Sequence, residues 1–369
     1  MIACNFPFSP MSSNARVTLR DIANRLGVSH VTVSLALKNH PRISVRRREE
    51  VQRIAEEMGY SPDPMLSSLI VYRQGKRPQE IHSALAWINH WKNPSGLRKL
   101  REFDGYWRGA EETAQRYGYR LDEFVWEPRM SARRLETILL TRNVRGILIP
   151  PHQEQPDWGD LDWGLFSVVR FGLSVRSPYT HLVTADQMRG VIQAVETIYD
   201  YGYSRIGFIC DENLDRKVGG NFAAGFYASQ RLLDLPHALP VLAVGNEPAK
   251  ARRQIRQWID RHKPDAILTN VPELPGILDQ LGIRVPDDIA LAGTTIYDTP
   301  ISAGLNQHPE EIGRVAVEML VTMINGYDRG TPAVPRRVLV ESQWVDGASL
   351  PRKTSPVKGG AAKKGQVLD

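Results

Sequence analysis

Cysteine is nearly absent: the 369 residues contain two, Cys4 and Cys210. Two thiols build neither a disulfide framework nor a zinc cluster, which excludes a disulfide-stapled secreted scaffold and a zinc finger, and fits a reducing cytoplasm. Long apolar runs are missing as well. No stretch approaches the roughly 20 apolar residues of a membrane helix, and the opening MIACNFPFSPM lacks the basic start and apolar core of a secretory signal. Neither secretion nor membrane insertion is expected. There is no GxGxxG after a strand, no GxxxxGKS phosphate loop, no GxSxG elbow and no HExxH, and the nine histidines show no metal-ligand spacing. Asp186, Asp211 and Asp265 stand at predicted strand ends, where capping the next helix is a simpler use than catalysis. No enzymatic activity, cofactor or metal is expected.

What is present is an uneven distribution of charge. Residues 1 to 78 hold 12 basic and 6 acidic side chains, a net of +6. Residues 79 to 350 hold 30 basic and 34 acidic, a net of −4, and residues 351 to 369 hold five basic and one acidic. A basic head on a mildly acidic body is the electrostatic footprint of a small nucleic-acid-binding module, although basic ends can also be merely solvated.

In the head, Thr18-Leu19-Arg20-Asp21 offers an N-cap hydroxyl with an acid three positions on, and Leu19, Ile22, Ala23 and Leu26 follow at helical spacing. Gly27 stops this helix, and Ser29 can cap a second one running to about Leu37. Two helices so close must cross steeply, the helix-turn-helix arrangement, in which the start of the second helix reaches base edges in the major groove. Val33, Ala36 and Leu37 are expected to face the first helix, leaving His30, Val31, Ser34 and Leu35 outward. An outward valine and leucine suit thymine methyls; the alternative is the core of an ordinary helical hairpin. A third helix, capped by Ser44 and ended by Gly59, is expected to bury Val51, Ile54, Ala55 and Met58. Arg46 and Arg47 at its start suit phosphates better than a helix N-terminus, whose dipole disfavours cations.

The run VTLRDIANRLGVSHVTVSLALKNHPRIS, followed by the third helix and GYSPDP, resembles the head of the lactose/galactose-repressor (LacI/GalR) family, and the order of downstream elements agrees along nearly the whole chain. The resemblance implies that Ser29, His30, Val31 and Leu35 contact bases, with Thr18, Ser34, Arg46 and Arg47 on phosphates. Leucine at position 35 departs from the polar residue common there, which implies an operator that differs at that base pair. The segment MLSSLIVYRQ matches the family's hinge helix, which pairs with its dimer mate and inserts a leucine, here Leu69, into a central minor-groove step. Leu66 stands where alanine is common, and an ordinary interdomain linker is the other reading.

From Ala84 onward, short apolar runs alternate with helical periods: ALAWI, RLDEFVW, GILIPP, FSVVRFG, RIGFICD, LPVLAV, DAILTN, IALAGTTI and RVLVES. Nine or more strands exceed one comfortable doubly wound unit, so two are expected side by side, with a ligand crevice at the strand ends. The fold class is therefore a three-helix helix-turn-helix head plus an α/β body of two doubly wound subdomains, which the resemblance makes periplasmic-binding-protein-like, with crossovers near Tyr179 and Tyr297. The expected divisions are a tail at 1–15, the head at 16–62, hinge and linker at 63–80, the body at 81–350 and a disordered basic tail at 351–369. Met11 offers a second start.

The effector site follows only by resemblance. The family's ligand-binding arginine of Arg-x-x-Gly-Phe is Phe222 here, with Asn221 beside it as a partial substitute. The family's Asn-Asp pair reads Asn270-Val271, and the acid after the strand IALAG reads Thr294-Thr295; Gln307 and Asn93 match. Six of the eight tryptophans precede residue 164, and Trp91 is the favoured platform for a sugar face, although tryptophan is more often a core residue. Arg170 can return a positive charge from another wall.

The reading is a cytoplasmic regulator, a repressor, binding a double-stranded, pseudo-palindromic operator as a homodimer and responding to a small-molecule effector, a carbohydrate. The alternatives are a regulator without an effector, or a solute-binding or enzymatic body fused to a DNA-binding head. Inducer or corepressor, and dimer or tetramer, stay open; no leucine heptad ends the chain, which leans toward dimer. If Leu69 is the minor-groove wedge, Leu69→Ala weakens operator binding far more than binding to random duplex in a titration of both; equal losses would remove the assignment.

Overall fold

The computed structural model describes residues 17–37, 43–58, 60, 83–127 and 129–353. The chain divides into two units, Met1–Arg77 and Pro78–Asp369.

The described part of the first unit is three helices, α1 (Leu19–Leu26), α2 (His30–Leu37) and α3 (Val45–Glu57). The start of α1 is a complete capping box. The Asp21 carboxylate accepts from the Thr18 backbone N–H at 2.7 Å and from the Thr18 hydroxyl at 2.7 Å, while Thr18 Oγ1 accepts from Asp21 N–H. These bonds hold the Asp21 carboxyl below its usual range. Gly27 ends α1 at φ 62°, a left-handed turn that glycine adopts without a Cβ penalty. Ile22 and Ala23, Val33 and Ala36, and Val51, Ile54 and Ala55 converge in one small core. Ser44 occupies the N-cap position of α3, but its hydroxyl makes no cap bond.

The second unit is two six-stranded sheets. The first contains β1 (Ser83–Asn89), β2 (Tyr119–Val125), β3 (Gly146–Ile149), β4 (Ser167–Phe171), β5 (His181–Ala185) and β11 (Arg337–Val340), in the order β11-β5-β4-β3-β1-β2, all parallel. The second contains β6 (Ile206–Asp211), β7 (Leu242–Val244), β8 (Ala266–Thr269), β9 (Ala290–Gly293), β10 (Gly304–Asn306) and β12 (Gln343–Val345), in the order β12-β10-β9-β8-β6-β7. Only β12 runs antiparallel among these pairings. The helices are α4 (Pro94–Leu97), α5 (Arg101–Arg116), α6 (Ala132–Thr141), α7 (Gln187–Asp200), α8 (Glu212–Lys217), α9 (Asn221–Leu232), α10 (Pro248–His262), α11 (Leu274–Gln280) and α12 (Pro309–Gly326). Runs such as GILI and ALAG are buried at every residue, as strands covered by helices on both faces must be. Each subdomain has a core on either face of its sheet.

The expected crossovers at Tyr179 and Tyr297 are corrected by the strand order. Tyr179 precedes β5, which still belongs to the first sheet, so the chain leaves that sheet after Ala185. Tyr297 precedes β10, which still belongs to the second, so the return comes at Gln307–His308. A third crossing lies at Glu341–Ser342, between β11 and β12. The short strands β5, β10 and β12 carry too little periodicity to announce themselves. Pro351–Lys353, the described part of the basic tail expected at 351–369, are exposed but bonded to the second subdomain. Tyr203 Oη donates to Pro351 O at 2.7 Å, and Lys353 bonds Tyr201 O through its N–H at 2.9 Å and Asp265 through Nζ at 2.8 Å.

The tightest contact joins α5 to α12. A Cβ on Gly109 would lie 1.9 Å from Glu310 O, on Gly105 2.7 Å from Pro309, and on Gly313 2.2 Å from Tyr106 O. Helix propensity alone favours alanine over glycine by about 1 kcal/mol, yet overpacking costs about 1–3 kcal/mol or more. Gly109→Ala therefore lowers stability, read as an earlier urea midpoint; an unchanged or later midpoint would show that the helices separate freely.

Candidate nucleic-acid interface and ligand cleft

In the head, Ser29 Oγ accepts from Thr32 N–H at 3.0 Å and lies 2.8 Å from Thr32 Oγ1, which fixes the first turn of α2. His30 and Val31, in that turn, are exposed, Val31 to 52%. Ser34 and Leu35 are half-buried beside them, while Val33 and Ala36 are in the core. Thr18 is exposed, but its hydroxyl is engaged with Asp21. Arg46 is exposed, and Arg47 pairs with Glu50 at 2.8 Å, so Arg47 presents a partly compensated charge. Leu69, and the rest of the expected hinge, lie outside the described residues.

In the body, both sheets reverse their strand order at one place. In the first sheet β1 lies between β2 and β3; in the second β6 lies between β7 and β8. The crevice beyond the carboxyl ends of strands at such a switch point is where ligands of these sheets bind. All three crossings also lie at carboxyl ends of strands, so these ends face the gap between the subdomains.

At the first switch point, Asn89 and the Pro150-Pro151-His152 segment meet. Asn89 is buried and fully used: Nδ2 donates to Pro94 O at 3.0 Å and to Glu123 at 2.8 Å, and Oδ1 accepts from Trp91 N–H at 3.0 Å. His152 accepts His90 N–H on Nε2 at 3.0 Å, so Nδ1, 2.8 Å from Pro150 O, carries the proton. The ring is thereby held neutral. Burial, and secondarily the His90 charge, push its pKa down to about 4 against the hydrogen bond to Pro150 O. His90 is flanked by the rings of Trp126 and Trp158 at 5.2 and 5.7 Å. A cavity of about 120 Å³ opens here, lined by His90, Trp91, His152 and Asp157 and rimmed by Lys92 and Glu154, which pair at 2.9 Å. Lys92 holds the Glu154 carboxyl below its usual range, and Lys217 of the second subdomain adds to the effect.

At the second switch point, Asn270 Oδ1 accepts from Asp211 N–H at 2.7 Å. Its Nδ2 is buried and has no partner among the described residues. An amide donor left unsatisfied in a buried site costs about 1–3 kcal/mol unless something outside the chain accepts from it. Asp211 caps α8 through Leu214 N–H at 2.8 Å. Asp215 does the same for α9, accepting from Phe222 and Ala223 N–H at 3.1 and 3.3 Å.

The other expected effector residues are scattered among these walls. Trp91 is buried, with Nε1 donating to Pro151 O at 2.9 Å, and reaches the cavity as a fixed wall. Asn93 is exposed beside α4 and accepts from the Ser95 hydroxyl at 2.9 Å. Arg170 is buried and spends its guanidinium on Val175 O and Thr180 O, under the ring of the exposed Tyr179. Phe222 is inside the core with Phe208 and Phe226, and half-buried Asn221 precedes it. Gly225 is required because a Cβ there would meet Met188 O at 2.6 Å, where α9 packs on α7. Thr295 Oγ1 accepts from Tyr297 N–H at 3.2 Å, and Gln307 Nε2 donates to Thr294 O at 2.7 Å, tying the second crossing to the end of β9. Asp298 reaches from the same loop to the start of α5, accepting from Arg101 N–H at 3.1 Å.

His90, His152 and Asp215 escaped the sequence reading. The one signal was Pro150-Pro151-His152 directly after an apolar strand, which fixes a histidine at a strand end.

A family model for bacterial regulatory proteins of the lacI family matches residues 18–63, the capping box and the exposed start of α2 included. The head is a LacI-family domain. A model of a periplasmic binding protein-like domain matches residues 195–350. The chain is 25% identical over 333 residues to the HTH-type transcriptional repressor CytR of Escherichia coli (strain K12), spanning 85% of this chain and 92% of that protein. In fold it is similar to the transcriptional regulator CelR in its cellobiose complex, with a TM-score of 0.56, 21% identity and 90% and 100% of the two chains covered. It is similar also to the lac repressor dimer bound to operator and the anti-inducer ONPF, with a TM-score of 0.52, 18% identity and 91% and 99% covered. These relatives are transcriptional regulators, not enzymes. Among the described residues no helix is long and apolar enough to cross a membrane.

Because the folded state keeps His152 neutral well below the ordinary histidine value of 6.5, the unfolded chain binds a proton first as pH falls. Stability due to this site is present above about pH 6.5 and declines toward pH 4, by up to roughly 3 kcal/mol. Urea unfolding at pH 7 and pH 4.5 checks this. His152→Gln should lose less stability than the parent between the two; an equal loss would place the titration elsewhere.

Proposed function

We propose that this protein is a repressor that binds a pseudo-palindromic operator as a homodimer and changes its DNA affinity when an uncharged, hydroxyl-rich small molecule, a carbohydrate, enters the cleft. The observation that carries the DNA reading is the first turn of α2, capped and fixed by Ser29, which presents exposed His30 and Val31 beyond a closed three-helix core. Ser29, His30, Val31 and Leu35 contact base edges, Val31 and Leu35 through thymine methyls, and Thr18, Ser34, Arg46 and Arg47 position the head on phosphates. Leu69 is the minor-groove wedge. One such head reads only a few base pairs, so two-fold symmetry supplies the second half-site, as the lac repressor dimer on its operator illustrates.

The effector reading rests on the unpartnered Asn270 Nδ2 at one switch point and the cavity beside Trp91, His90 and His152 at the other. Asn93, Asn221, Thr295 and Gln307 contribute hydrogen-bonding groups, whereas Phe222 and Arg170 shape the walls from behind them. A lining whose charges are the Asp157 carboxylate and the Lys92–Glu154 pair favours hydroxyls over carboxylates, and the cellobiose complex of CelR supports that class. A ligand that prefers one arrangement of the two subdomains shifts the population competent for DNA. The burial of Phe222 and the Asp215 cap on α9 favour a second reading, a repressor whose cleft takes no ligand; the orphaned Asn270 donor weighs against it.

The test is selection of bound sites from random duplex DNA by the full-length protein at two salt concentrations, because non-specific binding collapses as counterions compete. The expected result is an inverted repeat that persists at the higher salt. Enrichment of no motif, or of an unrepeated one, would overturn the dimeric operator reading.

A further inference from the structure

The amino-terminal edge of the first sheet, opposite the cleft, gathers arginines that the sequence scatters. Arg142 follows α6 and Arg145 immediately precedes β3. Arg329 lies beside the start of β4, where Gly330 N–H donates to Phe166 O at 2.9 Å. Arg336 precedes β11 and Arg337 opens it. The strand order β3-β4-β5-β11 turns these positions into one row. Three strand spacings make the row roughly 14 Å long.

Arg142, Arg336 and Arg337 are exposed, and Arg145 and Arg329 are half-buried. Within the row, Asp328 lies 3.7 Å from Arg336 and 3.8 Å from His181. Among the described residues, Arg142, Arg145 and Arg337 form no ion pair; Arg142 rests over the Phe124 ring at 5.4 Å. Arg329 is held below the usual arginine range by burial first and by the charge of Arg145 second. Like charges are thus set side by side on a body whose residues 79 to 350 carry a net −4. Such an arrangement opposes folding and is relieved by an external anion.

The first strand, β1, starts at this same edge. Ser83, the first residue of β1, donates from Oγ to Asn143 O at 3.4 Å and accepts from Asn143 Nδ2 at 3.2 Å. Asn143 lies between Arg142 and Arg145, so the start of β1 is tied to the arginine turn.

We propose that this arginine row is a second DNA-contacting surface, which holds the phosphate backbone of duplex flanking the sequence read by the head. Roughly 14 Å of helix axis presents about four phosphates on each strand, at 3.4 Å per phosphate. A row of guanidiniums on strand starts matches that run of anions without reading any base. The inference rests on the reading that the head binds DNA, and adds a contact that the head does not make.

The test is the salt dependence of binding of the full-length protein to a random-sequence duplex of about 60 base pairs. Each lost phosphate contact lowers the slope of log K against log salt by about 0.9, so a variant carrying Arg142→Gln, Arg145→Gln, Arg336→Gln and Arg337→Gln should bind with a slope smaller by about 2 to 4. Arg133→Gln with Arg134→Gln, on the exposed face of α6 away from the strand starts, leaves the slope unchanged. If the fourfold variant fails to fold, Arg142→Gln and Arg337→Gln singly, both at exposed positions, each lower the slope by about one. An unchanged slope in folded variants overturns the proposal, and is also the result if the row serves an acidic protein instead. An equal loss in the α6 control overturns it too, since net charge alone would then explain the effect. Loss of motif enrichment with the arginine-dependent slope intact would sink the operator reading and leave this surface standing.

Discussion

The contact between α5 and α12 is the constraint on which the body depends. Gly105, Gly109 and Gly313 bring the two backbones to a distance no side chain permits. Yet α12 follows β10 of the second sheet and packs on the first. The first subdomain is therefore completed by a helix that reaches it only across the gap. Gln307, bonded to Thr294 O at the end of β9, and Asp298, bonded to the start of α5, anchor that crossing on both sides. At this crossing, any change in the angle between subdomains has to be absorbed in a few residues around His308, because the helix beyond cannot slide.

The two walls of the cleft differ in how their polar groups are used. On the first, Asn89, Trp91 and His152 have all their hydrogen bonds made within the chain, which fixes the wall before anything binds. On the second, Asn270 keeps a buried donor unanswered. For the ligand proposed above, a rigid wall facing a wall with one unmet donor is a preorganised site, in which little interaction energy goes into ordering the protein. The neutral His152 imidazole contributes no charge, and Arg170 is consumed by loop carbonyls.

The head was legible because its determinants are local. The Thr18–Asp21 box, the Gly27 stop and the Ser29 cap each depend on residues within four positions, and the 3.6-residue spacing of Ile22, Ala23, Val33 and Ala36 names the buried face. In the body the existence of two parallel sheets was equally plain from runs like GILIP and DAILT. The crossing points were not, because β5 and β10 are assigned to a sheet by their neighbours and not by their own composition. Phe222 shows the same limit at the site: position placed it where an arginine lines the cleft in the family, while a phenylalanine gains more by entering the core beside Phe208. The His90–His152 pairing joins residues about 60 apart through the adjacency of β1 and β3, and Arg145 comes beside Arg329 only through the strand order; neither leaves a mark on the local sequence.

The discontinuity of the first sheet bears on how the protein comes into being. Its first five strands are synthesised by Ala185, but α12 and β11, which cover one face and one edge of that sheet, are complete only at Val340. The second subdomain finishes even later, with β12 and the clamp of Pro351–Lys353 on Tyr201, Tyr203 and Asp265. A nascent chain emerging from the ribosome at about 5–20 residues per second thus carries an uncovered apolar sheet face and the open edge of β5 for many seconds before either subdomain can close. The head, whose three helices need nothing beyond their own small core, is folded throughout that interval.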